Sequence, residues 1–169
     1  MKVYDVIIVG GGPAGLNAAV VLGRCRRNVL LFDKDTQRNL SSSGLRNYLT
    51  RDHIRPRDFL KLAYKEIAKY GVIARRGQIL HAEKMQTGLF LVKDNKGDGY
   101  YSRKLLIATG LRDNVPVIKG IDKFFGKSIF HCPYCDGWEI KNRLVGVYKN
   151  GFELAISVRD LGHTRRSLN

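Results

Sequence analysis

The stretch Val3-Tyr4-Asp5-Val6-Ile7-Ile8-Val9-Gly10-Gly11-Gly12-Pro13-Ala14-Gly15 constrains the fold more than any other part of the chain. Its first seven residues end in a continuous apolar run, the composition of a strand buried on both faces of a parallel sheet. Gly10, Gly12 and Gly15 hold the GxGxxG spacing. The first glycine permits a tight turn, the second lets a pyrophosphate approach the backbone, and the third lets a helix pack on the strand. Leu16 to Arg27 reads as that helix, with Leu16, Ala19, Val20 and Gly23 on one stripe and three arginines near its C-terminus, where cations suit the dipole. Asn28 ends it, and Val29-Leu30-Leu31-Phe32 is a second buried strand closing in Asp33. Free amides and the positive dipole end at the helix start suit phosphates. Asp33, 18 residues past Gly15, suits ribose hydroxyls. The unit predicts a dinucleotide site, and its spacing fits FAD and NAD alike.

Thr36 to Arg55 is polar, with Ser41-Ser42-Ser43-Gly44 at its centre, and reads as a long functional loop. Pro56 opens a helix to Tyr70, with Phe59, Ala63, Ile67 and Tyr70 at helical spacing and Gly71 as its stop. From Val72 to Ile107 the pattern turns to strands. Leu89-Phe90-Leu91-Val92 and Tyr100 to Ile107 flank the hairpin turn Asn95-Lys96-Gly97-Asp98-Gly99. A domain boundary is expected after Glu139. Beyond it Arg143 to Tyr148 reads as a strand, Lys149-Asn150-Gly151 as a turn and Phe152 to Leu161 as a helix.

Composition narrows the classes. Thirty Lys and Arg against 15 Asp and Glu leave a net charge of +15. The basic residues divide equally about residue 80, with no basic helix, zinc-finger spacing or aromatic ladder, so a solvated basic exterior is expected rather than a nucleic-acid surface. No apolar run approaches the ~20 residues of a membrane helix, and no signal-peptide pattern opens the chain. A cytoplasmic location, without membrane contact, is the expectation.

Cys132-Pro133-Tyr134-Cys135 places two thiols three positions apart. As zinc ligands they supply half a tetrahedral site, and Cys25, His53, His81 and His163 show no paired spacing that would complete it. Cys25, between Arg24 and Arg26, reads as a helix-face residue. As a redox pair the thiols need no further ligand, only access, a resolving partner and a proton donor. Asp136 is that candidate acid, or a turn former before Gly137. A dinucleotide loop joined to a dithiol suggests electron flow between a cofactor and a disulfide. A flavin carries such electrons conveniently, which favours FAD at the first loop.

Gly10 to Gly15, Ala108-Thr109-Gly110 and Cys132-Pro133-Tyr134-Cys135-Asp136-Gly137, in this order, resemble the thioredoxin reductase-like flavoproteins, the low-molecular-weight branch of the pyridine nucleotide-disulfide oxidoreductases. The extended motif through Trp138-Glu139 is similar to the branch that includes small-molecule dithiol oxidases. The resemblance implies a Rossmann-like α/β FAD domain over residues 1–139, with a parallel sheet and a β-hairpin insertion, followed at 140–169 by the start of a second Rossmann unit. It places FAD pyrophosphate on Gly10, Gly12, Pro13, Ala14 and Gly15, and its adenosine ribose on Asp33 with Lys34 alongside. Arg38, Asn39 and Asn47 approach the flavin end, Ile79 lies near the adenine, and Ala108, Thr109 and Gly110 close over the cofactor. Cys135 faces the flavin, Cys132 attacks the substrate disulfide, and Asp136 shuttles the proton. NADPH is the family's donor in reductases, whereas oxidase members pass electrons from a dithiol to oxygen. The implied partner is a thioredoxin-like protein or a small-molecule disulfide or dithiol, and dimers are usual.

Gly146 to Gly151 matches GxGxxG poorly, and the tail is shorter than the ~30 residues of a βαβ unit. The family's NADPH domain and its C-terminal FAD segment are not represented. The expectation is a truncated chain that binds NADPH weakly or not at all and retains FAD imperfectly. Two alternatives stay open: a nucleotide-binding module with a vestigial cysteine pair, and a zinc-stabilised Rossmann protein.

Overall fold

The computed structural model describes residues 2–149 and 152–157. The chain runs β1 (Val3–Val9), α1 (Pro13–Arg24), β2 (Val29–Asp33), α2 (Pro56–Ala68), β3 (Ile73–Arg76), β4 (Ile79–Lys84), β5 (Phe90–Asp94) and β6 (Gly99–Ile107). The short turns α3 (Ile121–Phe124) and α4 (Pro133–Asp136) and the strands β7 (Leu144–Lys149) and β8 (Phe152–Ser157) follow. Six strands form one ladder in the order β3-β2-β1-β6-β5-β4. β1 pairs in parallel with β2 and β6, and β2 with β3, whereas β4-β5 and β5-β6 are antiparallel. The sheet is a Rossmann-like parallel core with an antiparallel meander.

That ladder cannot be flat. β3 and β4 lie at its two edges, about 24 Å apart at the usual strand spacing, yet only Gly77 and Gln78 separate them in sequence. Three Cα steps reach only about 11 Å. The meander therefore folds back over the parallel strands, hinged on β6, whose Tyr101 and Ser102 pair with both β1 and β5. Burial records the two resulting layers. Ile8, Val29 and Leu31 pack with Leu16 and Ala19 of α1 and with Leu60 and Ile67 of α2. Tyr4, Ile7, Leu30 and Phe32 pack with Val92 of the meander, and the Phe32 and Tyr100 rings lie 4.9 Å apart. Successive strand residues thus face opposite cores, which is why β1 and β2 read as continuous apolar runs.

The helix bounds differ from those the sequence suggests: α1 keeps its 12 residues but lies three positions earlier, and α2 is two residues shorter. α1 begins at Pro13, whose missing N–H costs nothing at that position, and stops at Arg24. Cys25 is its exposed cap rather than a helix-face residue. α2 ends at Ala68, before Tyr70. No helix or strand lies between Asp33 and Pro56, as the polar composition predicts.

One expectation fails. Phe152–Ser157 is a strand paired antiparallel with β7, not a helix, and Lys149 opposes Phe152. The register leaves the two-residue sequence Asn150-Gly151 between them, a dipeptide that favours a hairpin; those two residues and the predicted helix end, 158–161, lie outside the described residues. Where a helix is expected from Phe152, the described residues form a strand beside β7.

Candidate functional site

The parallel strands end on one side, where Val9, Asp33 and Ile107 hand over to loops. β1 continues to α1 and β2 on one flank and has β6 on the other, so the crevice beside β1 is the switch point where α/β sheets take ligands. A cleft of about 520 Å³ opens there.

Each glycine of the loop answers a separate physical demand. Gly10 has φ +116°, and a side chain there would strike the carbonyl oxygen of Ala108. A side chain at Gly15 would strike the carbonyl oxygen of Gly10, so this glycine lets α1 close onto β1. A Cβ on Gly12 meets nothing within 4 Å, and Gly12 lines the cleft. Gly12 also caps α1, which has no side-chain cap hydrogen bond and no acid in its first turn. The first amides of a helix lack internal partners, so this end is left for an anion. The cradle fits a pyrophosphate.

Asp33, at the end of β2, is partly buried and well held. Its Oδ2 accepts from the Tyr64 hydroxyl at 2.7 Å and from Gln37 Nε2 at 2.5 Å, and its Oδ1 accepts from the Asp35 amide at 3.1 Å. Burial, reinforced by Asp33 and Asp35, pushes the Tyr64 phenol far above its ordinary range. A carboxylate has about four acceptor sites, so capacity for a ribose hydroxyl remains. Opposite, Ile79 and the segment Ala108-Thr109-Gly110-Leu111 complete the cleft.

Gly10, Gly12, Pro13, Asp33, Lys34, Arg38, Asn39, Ile79, Ala108, Thr109 and Gly110 all line this space, whereas Ala14, Gly15 and Asn47 do not. The cleft also uses Gly11, Phe32, Gln37, Gly77 and Gln78. Gln37 and the supporting Tyr64 carry no motif. Only the helical stripe of α2, read one position further along at Leu60, Tyr64 and Ile67, signals that Tyr64 points inward.

Cys132 and Cys135 are joined as a disulfide across the turn α4, with Cα atoms 5.4 Å apart. Cys132 caps the turn, its sulfur accepting from the Cys135 amide at 3.2 Å. Neither cysteine nor Asp136 lines the cleft. The loop after β2 reaches both places. Its first part supplies Arg38 and Asn39 to the cleft, and Arg38 grips Asp113 through two contacts of 2.6 Å. Its later part holds the cysteine turn: Asn47 Nδ2 donates to the Tyr134 carbonyl at 2.9 Å, and Arg46 Nε meets Glu139 Oε1 at 2.7 Å. Burial lifts the Asp136 carboxyl above the ordinary carboxylate range; Arg46 and His131 oppose this and Glu139 adds to it. Among the described residues no group of three or more His, Cys, Asp or Glu comes together to hold a metal. None of their helices is long and apolar enough to cross a membrane.

A Rossmann-like sheet with a glycine cradle at its switch point and a vicinal cysteine pair beyond it defines an oxidoreductase class. The chain belongs to the pyridine nucleotide-disulphide oxidoreductase family, whose profile matches residues 4–166. Thioredoxin reductase aclD of Aspergillus oryzae is 37% identical over 139 residues, covering 80% of this chain and 44% of that protein. Thioredoxin reductase tcpT of Claviceps purpurea is 34% identical over 153 residues, covering 89% of this chain and 48% of that one. The crystal structure of Bacillus anthracis TrxB matches with a TM-score of 0.78 at 40% identity, over 81% of this chain and 46% of the other. The chain spans about half the length, or less, of these relatives.

Proposed function

We propose that this chain is the FAD-binding and dithiol-bearing part of a thioredoxin reductase-like oxidoreductase that moves electrons between a nicotinamide donor, a flavin and the Cys132–Cys135 couple. The observation that carries the reading is the cradle at Gly12, open where a Cβ would point and uncapped at the helix behind it. Bound there, FAD supplies a two-electron carrier between a hydride donor and a disulfide. Gly10 to Gly15 hold the pyrophosphate, and Asp33, with Lys34 alongside, accepts the ribose hydroxyls. Arg38 and Asn39 lie along the loop toward the flavin end, and Asn47 steadies the turn that carries the thiols. Ile79 flanks the adenine, and Ala108 to Gly110 close the far wall.

At the thiols, two electrons and two protons convert the Cys132–Cys135 disulfide to a dithiol. Cys132, at the mouth of the turn, attacks the substrate disulfide as a thiolate, and one substrate sulfur leaves with the bonding pair and a proton. Cys135 then attacks Cys132, re-forming the internal disulfide and releasing the second substrate sulfur. Asp136, whose carboxyl burial raises above its ordinary range, is the acid that exchanges a proton with Cys135 in this reading. The partner is a thioredoxin-like protein or a small disulfide, and a homodimer is the expected assembly. NADPH belongs to the full-length relatives in this reading, because strand β8 follows β7 where a helix is expected.

A second reading, a nucleotide-binding module with a vestigial cysteine pair, is favoured by the absence of Cys132, Cys135 and Asp136 from the cleft lining. One experiment separates the two. FAD is titrated into the purified chain by fluorescence, and the complex is then treated anaerobically with excess dithiothreitol while visible absorption is followed. Binding with bleaching that the Cys135→Ser variant loses supports the first reading. Binding with bleaching indifferent to Cys135 supports the second, and no FAD affinity overturns both.

A further inference from the structure

The two walls of the cleft leave the sheet on either side of β1. The ladder order puts β2 and β6 two strand spacings apart, about 10 Å, with the glycine turn that follows β1 between them. The first wall is braced. Gln37 Nε2 holds Asp33, the Leu40 amide donates to the Gln37 carbonyl at 3.2 Å, and the Ser42 amide donates to the Asn39 carbonyl at 3.0 Å, so Arg38 projects from an anchored loop. The second wall is fixed at its start, where the Ala108 amide donates to the Val9 carbonyl at 2.8 Å. From Thr109 to Val115 the contacts of Asp113 with Arg38 are the only hydrogen bonds or ion pairs among the described residues. Leu111, two positions before Asp113, lines the cleft and is 77% exposed. One side chain therefore ties this loose segment to the opposite wall.

We propose that Asp113 is a positioning residue: through Arg38 it latches segment 109–115 across the phosphate cradle, and this strap opens for FAD to enter or leave. The contact has the geometry of a latch. Arg38 Nε donates to Asp113 Oδ2 and Nη2 meets Oδ1, both at 2.6 Å, a two-pronged pairing that fixes direction as well as distance. Arg38 lines the cleft and Asp113 does not, so Asp113 acts on a cofactor only through Arg38 and the strap. The latch closes with or without a cofactor beneath it, and it therefore governs rates of exchange rather than affinity. With 37% and 25% of the two side chains exposed, the pair is weak enough to open on every exchange.

The inference rests on the reading of the cleft as an FAD site. FAD association and dissociation rates are measured separately by stopped-flow flavin fluorescence on the full chain, for the parent, Asp113→Asn and Asp113→Glu. Asp113→Asn is expected to raise both rates together by about two- to fivefold, the strength of an exposed ion pair, and to leave Kd unchanged. Asp113→Glu keeps the carboxylate and restores the parent rates. In about 1 M salt the ratio between parent and Asp113→Asn falls to one. Three other patterns each overturn the strap. The extra positive charge of Asp113→Asn acting by itself would speed entry and slow exit. Arg38 aimed by Asp113 directly at the cofactor, or a fold merely loosened by the substitution, would speed exit alone and raise Kd. Rates indifferent to Asp113 would leave the latch no function. A parent chain without FAD affinity overturns the cofactor reading and the strap with it, whereas FAD binding with any of these three patterns overturns the strap alone.

Discussion

Gly10 and Gly12 sit two residues apart in one motif, yet the structure gives them opposite jobs, and alanine at each separates stability from binding. At Gly10 the backbone adopts φ +116°, a conformation that costs a side-chain-bearing residue about 1–3 kcal/mol. The new methyl group also strikes the Ala108 carbonyl. That carbonyl cannot retreat freely, because the Ala108 amide donates to Val9 at 2.8 Å and the Gly10 amide donates to Phe32 at 2.8 Å. Overpacking of this kind costs a further ~1–3 kcal/mol. Gly10→Ala is therefore expected to lose about 4 kcal/mol, or roughly 8–16 °C in Tm for a chain of this size. At Gly12 the dihedrals, φ −79° and ψ −177°, are open to any residue, and the methyl group has free space. Gly12→Ala is expected to change stability by less than about 1 kcal/mol, because the gain through the unfolded chain is offset by alanine's poorer fit at a helix N-cap. The same methyl fills the phosphate cradle. Losing two charge-assisted amide contacts worth about 1.5 kcal/mol each weakens FAD binding roughly 100-fold. Thermal unfolding without ligand and a fluorescence titration with FAD measure the two effects. A Gly10→Ala protein as stable as the parent, or a Gly12→Ala protein that binds FAD equally well, would refute this division of labour.

Three further outcomes follow from the side-chain network. Tyr64→Phe removes a donor from the Asp33 carboxylate and is expected to cost about 1.5–3 kcal/mol in urea denaturation. Asp136 binds its proton more tightly folded than unfolded, so its stabilising contribution is complete below the unfolded value of ~3.9 and lost as pH rises through the folded value. Asp136→Asn is accordingly expected to unfold at higher urea than the parent at neutral pH, an advantage that vanishes near pH 3. Asp113 behaves oppositely: the Arg38 guanidinium holds its carboxyl below the usual range, so that pair's contribution is present above the unfolded value and lost as pH falls through the folded one. With Arg38 37% exposed, Asp113→Ala should cost under about 1 kcal/mol, and about 1 M salt should abolish the difference.

Local sequence was sufficient for the first βαβ unit, because each of its demands is met by a neighbour in the chain. Strands buried on both faces need apolar residues throughout, a positive φ needs glycine, and a helix start facing a phosphate needs no side-chain cap. The hairpin between β5 and β6 was legible for the same reason. Phe152–Ser157 is apolar enough for either helix or strand, and pairing with β7 decides between them. Composition likewise could not show that the meander folds over the sheet. That follows from two edge strands joined by two residues, a relation visible only once the ladder is known.

From its residues alone this chain declared a glycine turn of GxGxxG spacing, an acid at the end of the second strand and a pair of cysteines three positions apart. Each is a short-range pattern in which spacing stands in for geometry. Only the tertiary structure decided who serves them: Tyr64 and Gln37 on Asp33, Arg38 on Asp113, and Arg46 on Glu139 rather than on Asp136. These partners lie from four to more than ninety positions apart in the chain. A charge's choice of partner depends on distance and burial in space, and a linear sequence records neither.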